Sequence, residues 1–161
     1  MSTYGYVNAF TESVSAVTAT NSVPLGTRRI ENGNEYVYVY NTGTTAAVGY
    51  GVIQSLNSCF SVTVSSAVGN KCFGVVQNAS LTTTYYGWVL VRGVGKAHMG
   101  DTATGNHTAA TGEGLYLGTN GAFEGVTTGA TGSTWANASL GCTLTSIGTG
   151  VSGSAYFNCY G

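Results

Sequence analysis

The chain has 161 residues, of which 25 are glycine and one is proline; 43% are hydrophobic, 7% are charged and the formal net charge is −1. One domain of ordinary size fits that length. So little charge excludes a coiled coil, glycine without a period of three excludes collagen, and the apolar content excludes charge-driven disorder.

Residues 1–34 differ from the rest. They carry Tyr4, Tyr6 and Phe10, a thinly alternating stretch, and then Pro24 before Leu25-Gly26-Thr27-Arg28-Arg29. This reads as an N-terminal arm that packs on something and then bends, followed by a single β domain over 35–161. No segment shows a convincing period of 3.6, whereas period two recurs between Gly, Asn and Thr punctuation. In residues 35–40, Tyr36, Tyr38 and Tyr40 point one way and Val37 and Val39 the other. In residues 60–66, Phe60, Val62 and Val64 are expected inward, with Ser61, Thr63 and Ser65 outward.

A further strand is expected around Phe73, Val75 and Val76. Residues 85–94 are apolar on both faces, which predicts a central strand or one covered by a partner. Gly93-Val94-Gly95 reads as a kink or bulge rather than a dinucleotide loop. Residues 98–112 and 126–135 read as long loops rich in Gly and Thr. Between them, Asn120-Gly121 predicts a hairpin with a type I′ turn, because both positions need φ > 0. Residues 140–147 and 154–160 make a last pair, with Leu140, Cys142 and Leu144 on one face and Phe157 and Cys159 on one face.

Little in the chain carries chemistry. His98, Asp101, His107 and Glu113 fall close together and offer metal-ligand types, but a hydrated glycine-rich loop is the simpler reading. No Gly-x-Ser-x-Gly elbow supports a catalytic triad, and nothing in the spacing favours any carboxylate pair for a glycosidase. Neither a catalytic residue, a metal nor a cofactor is expected. The five cations Arg28, Arg29, Lys71, Arg92 and Lys96 are too few for a nucleic-acid stripe. No apolar run approaches the roughly 18 residues of a membrane span, and the first ten residues do not look like a signal peptide. Cys59, Cys72, Cys142 and Cys159 contain no C-x-x-C pair. They read as small buried hydrophobes, with 59–72 and 142–159 as the local choices should bridges form. The 11 tyrosines are the most unusual feature, and suit either an interface or half-buried strand surface.

Gly74-Val75-Val76-Gln77, the run from Tyr85 to Ala97, Gly112-Glu113-Gly114-Leu115 and Tyr156-Phe157-Asn158-Cys159 together resemble the head decoration, or cement, proteins of tailed bacteriophages. The similarity runs loosely over residues 60–161. It implies an all-β fold, an antiparallel barrel or sandwich, usually trimeric and seated at capsid three-fold positions without enzymatic activity. The expected partners are then the major capsid protein and further copies of this chain, and the expected location is the capsid exterior, after assembly in the host cytoplasm. Docking is expected to use Tyr4, Tyr6, Phe10, Arg28 and Arg29 as a clamp, with Tyr36, Tyr38 and Trp88 at the capsid or subunit interface. Two other classes compete. One is a sugar-binding adhesion module of a phage tail or fibre, stacking sugars on exposed tyrosines and Trp135. The other is an exported fibre or pilus subunit.

Overall fold

The computed structural model describes residues 12–55, 58–65, 70–100, 108–126 and 140–159. Its organising element is the Tyr/Val alternation, which forms β3 (Asn34–Asn41) and sorts the chain into two cores. Ahead of it come β1 (Val17–Thr18) and β2 (Arg28–Glu31). After it come β4 (Gly51–Gln54), β5 (Ser61–Val64), β6 (Gly74–Val76), the long β7 (Tyr86–His98), β8 (Leu115–Leu117), β9 (Phe123–Gly125), β10 (Gly141–Thr143) and β11 (Ser152–Asn158). The fold is all-β, as expected. Among the described residues the one other regular element is a single 3-10 turn at Thr119–Gly121.

Five strands close on themselves. β7 pairs with β6, β6 with β4, β4 with β5, β5 with β3, and β3 returns to β7. The β3–β5 contact, Tyr40 opposite Ser61 and Asn41 opposite Val62, is parallel, so the sheet is mixed rather than wholly antiparallel. A ring of five strands is narrow, and its interior takes small β-branched side chains. Val37, Val39, Val52, Val62, Val76, Val89 and Val91, with Ala46 and Leu81, fill it. The opposite faces of β3 and β7 present Tyr36, Tyr38, Trp88 and Leu90 to a second core. Val14, Val23 and Leu25 cover it from the N-terminal side, and Leu115, Leu117, Phe123, Ala155 and Phe157 from the later strands. The doubly apolar run is therefore covered on both faces within this chain.

The described part of residues 1–34 packs on the later strands. Thr27 N–H donates to Pro24 O at 3.1 Å, which makes the expected bend. β1 then pairs with β7, and β2 with β3 through a hairpin in which Glu31 opposes Asn34. The two linking residues, Asn32 and Gly33, have φ of 51° and 80°, as a two-residue I′ turn requires. The expected β8–β9 hairpin also forms, but around a longer connection, since Leu117 opposes Phe123. Asn120 and Gly121 still take φ of 57° and 76° within it.

Other expectations change. Phe60 is exposed, whereas Ser61 and Ser65 are buried. Ser61 Oγ shares a hydrogen bond with Ser58 Oγ at 2.6 Å, and Ser65 Oγ accepts from Asn70 Nδ2 at 2.9 Å, so their polar atoms are satisfied locally. Phe60 lies edge-on to Phe73, with ring centres 6.4 Å apart. Leu140 is buried, but Leu144 faces solvent and Cys142 opposes the exposed Tyr156, so these three do not share a face.

β7 changes partners along its length. Glu35 opposes Arg92 while Tyr36 opposes Leu90, which leaves Val91 as the extra residue of a bulge. Beside it Gly93 has φ of 124°, a backbone conformation open essentially to glycine. Beyond that point β7 pairs with β11, and β11 with β10. The edge that β3 has left is held by side chains. Asn34 Oδ1 accepts from Val94 N–H at 2.8 Å and its Nδ2 donates to Val94 O at 3.0 Å. Gln77 does the same for Lys96 at 2.6 and 3.0 Å, and Gly49 O takes His98 N–H at 3.0 Å. Two side-chain amides thus stand in for a missing strand.

Candidate interaction surface

The three-stranded ribbon of β10, β11 and the second half of β7 has one face on the second core and the other in solvent. Ala97, Ala155 and Phe157 point inward; Arg92, Val94, Lys96, Ser152, Ser154, Tyr156 and Asn158 point outward. Register aligns Val94, Tyr156 and Cys142 in one row across the ribbon, and Lys96 opposite Ser154 in the next. Val94 is 49% exposed and Leu144, beside Ser154, 44%. The outer face therefore combines apolar side chains with Lys96 and with Arg92, which Glu35 of β3 opposes. Its chemistry suits a partner that is apolar at the centre and acidic at the rim.

A second exposed feature lies on β2, where Ile30 is 77% exposed. Its neighbours Arg28 and Arg29 carry carboxylates already. Arg28 Nη1 lies 2.8 Å from Glu35 Oε1, and Arg29 Nη2 lies 2.6 Å from Glu31 Oε2. Arg29 also donates to the Glu12 carbonyl, tying the start of the described chain to β2. Such surface pairs add little stability, but they fix where the guanidinium groups point.

The remaining expected interface residues divide in two. Tyr36, Tyr38 and Trp88 are buried, Tyr38 and Trp88 with ring centres 5.1 Å apart; their rings build the second core instead of meeting solvent. Tyr4, Tyr6 and Phe10 lie outside the described residues, as do Asp101, His107 and Trp135. Of the candidate metal ligands that remain, His98 stacks on Tyr50 at 4.8 Å and bonds Ser152 Oγ through Nδ1 at 3.1 Å. Glu113 closes its own turn by accepting from Ala110 N–H at 2.6 Å. Among the described residues no three His, Cys, Asp or Glu side chains converge, and no helix is long and apolar enough to cross a membrane.

One buried carboxylate is structural. Glu124 of β9 accepts from Tyr116 Oη on β8 at 2.5 Å. Burial, then the hydrogen bond and charge of Glu124, raise the Tyr116 phenol well above the ordinary tyrosine range. The ribbon face itself could have been found in the sequence by reading residues 152–158 at period two. That signal is faint because Ser152, Gly153, Ser154 and Ala155 differ little in polarity.

No family model matches the chain, and no curated protein matches it. Among solved structures, the chain is similar to the N base of the head fiber gp8.5 of bacteriophage phi29. The TM-score is 0.54 at 9% identity, covering 77% of this chain and 93% of that one. At that identity the likeness is one of fold.

Proposed function

We propose that the chain is a structural protein of a bacteriophage virion, a decoration domain docked on the outside of the head, without enzymatic activity. The observation that carries this reading is the fold shared with a head-fiber base over 93% of that chain. The resemblance of Gly74–Val76 and of the run 85–97 to capsid cement proteins supports the same class. So does a surface whose outward features suit contact with protein.

On this reading the ribbon face lies on the major capsid protein. Val94, Leu144 and Tyr156 bury apolar area there, and Lys96 meets an acidic group at the rim. Arg28 and Arg29 on β2 form a second contact, together with the residues preceding Glu12. Three copies around a capsid three-fold would each bind weakly and hold firmly together, because linked contacts raise the effective concentration of one another.

Purified particles of the encoding phage test the proposal. Peptides of this chain should co-purify with heads through a density gradient and be accessible to protease on intact particles. Their absence from heads would overturn the virion reading. Their presence on tails alone would favour the adhesion module. Light scattering of the isolated protein tests the trimer, which should run near three times 16.4 kDa.

A further inference from the structure

Two of the four cysteines, distant in sequence, meet in space. Cys72 lies just before β6 and Cys159 just after β11; both are buried in the second core, and all four sulfurs are free thiols here. Cys72 Sγ donates to Gly74 O at 3.2 Å, and Cys159 neighbours it in the same core cluster. Cys159 is held in place by its backbone N–H, which donates to Val91 O at 2.9 Å. Both thiols line one cavity of about 250 Å³, whose other walls are Gln54, Lys71 and Phe73. Gln54 and Lys71 are exposed, so the cavity connects the pair to solvent.

We propose that Cys72 and Cys159 form a latent disulfide, closed by a small-molecule disulfide of the oxidised-glutathione class entering this cavity, which locks β11 to the barrel. The order of events follows from their surroundings. The hydrogen bond to Cys159, then burial, pushes the Cys72 thiol up, so it keeps its proton longer. Cys159, which lines the cavity beside Lys71, gives its proton to solvent and is the first nucleophile. Its sulfur attacks the reagent disulfide, forming a mixed disulfide and releasing one reagent thiolate. Cys72 then gives its proton to solvent and attacks the Cys159 sulfur, expelling the second. Two protein thiols are oxidised and one reagent disulfide is reduced to two thiols. The step depends only on an oxidising surrounding, not on what the domain docks onto.

The test uses the full chain carrying Cys59→Ser and Cys142→Ser, so that only the proposed pair remains. Incubation with oxidised glutathione at mildly alkaline pH should remove the mass of two hydrogens. A non-reducing digest should join the peptides of Cys72 and Cys159. Closing a loop of roughly 90 residues should raise Tm by about 5–15 °C, reversibly with reductant. Adding Cys72→Ser should trap glutathione on Cys159. Two thiols still open to alkylation after oxidation and denaturation would overturn the proposal. So would glutathione retained on both cysteines of the pair, since the thiols would then be unable to reach each other.

Discussion

Phe157 and Tyr156 are neighbours on β11 with opposite fates, and exchanging each for alanine separates the fold from the docking surface. Phe157 is fully buried against Phe123, with ring centres 5.4 Å apart. Removing a buried phenylalanine costs about 3–5 kcal/mol, combining lost transfer energy with the cavity left behind. Set against a total stability of roughly 5–15 kcal/mol, that is a large fraction. At about 2–4 °C per kcal/mol for a chain of this size, Phe157→Ala should lower Tm by roughly 6–20 °C. Tyr156 points out of the ribbon and opposes Cys142 and Val94. Tyr156→Ala should change stability by no more than about 0.5–1 kcal/mol. Urea unfolding followed by circular dichroism and by the fluorescence of the buried Trp88 measures both variants. Equal losses, or a larger loss for Tyr156→Ala, would mean that the in–out assignment of β11 is reversed.

Three further outcomes follow from the same contacts. Asn34→Ala and Gln77→Ala each remove two hydrogen bonds from the open edge of β7; each should cost about 1–2 kcal/mol and speed amide exchange at Val94 or Lys96 respectively, as read by NMR. Asn41 is buried, with Nδ2 donating to Thr44 O and Leu81 O at 2.9 Å and Oδ1 accepting from Gly43 N–H at 3.0 Å. Asn41→Ala should cost about 2–4 kcal/mol in chemical denaturation, because it strands buried backbone groups as well as losing bonds. Tyr116 and Cys72 both have raised pKa values in the folded chain. Their contribution to stability is complete below the unfolded values, about 8.5 for Cys and 10 for Tyr, and is lost as pH rises through the folded ones. Stability should therefore fall on the alkaline side, and Tyr116→Phe should flatten the part of that fall above about pH 10.

How much the sequence revealed depended on how sharply neighbouring residues differ in chemistry. β3 was legible because tyrosine and valine alternate, and both sets are large enough to demand a core of their own. β7 was legible because four consecutive apolar residues, 88–91, leave no face for water. The β2–β3 hairpin carried the same Asn-Gly signal as the later one. It was obscured because its first strand, Arg28-Arg29-Ile30-Glu31, is polar and lies at the sheet edge with Ile30 in solvent. Phe60 and the serines around it inverted because local hydrogen bonds to Ser58 and Asn70 let hydroxyls go inside. The Cys72–Cys159 contact could not be read from spacing, since it depends on where β11 docks. Of the expected docking residues, Tyr36, Tyr38 and Trp88 carry large rings that suit an interface and a core alike, and here they fill the second core. The face that does reach solvent is built mostly from residues too small or too mixed to stand out.

The central claim is that this fold docks on a phage head through the ribbon face, and binding to heads tests it most directly. Heads of the encoding phage lacking this chain would be mixed with wild-type protein or with Lys96→Glu/Tyr156→Ala, and sedimented. Both proteins should fold with closely similar Tm. The wild type should co-sediment at saturable stoichiometry and weaken with salt, while the double variant should lose at least tenfold in affinity, a change of about 1.4 kcal/mol. Equal binding by the two would contradict the assignment of the face, and no binding by the wild type would contradict the docking itself.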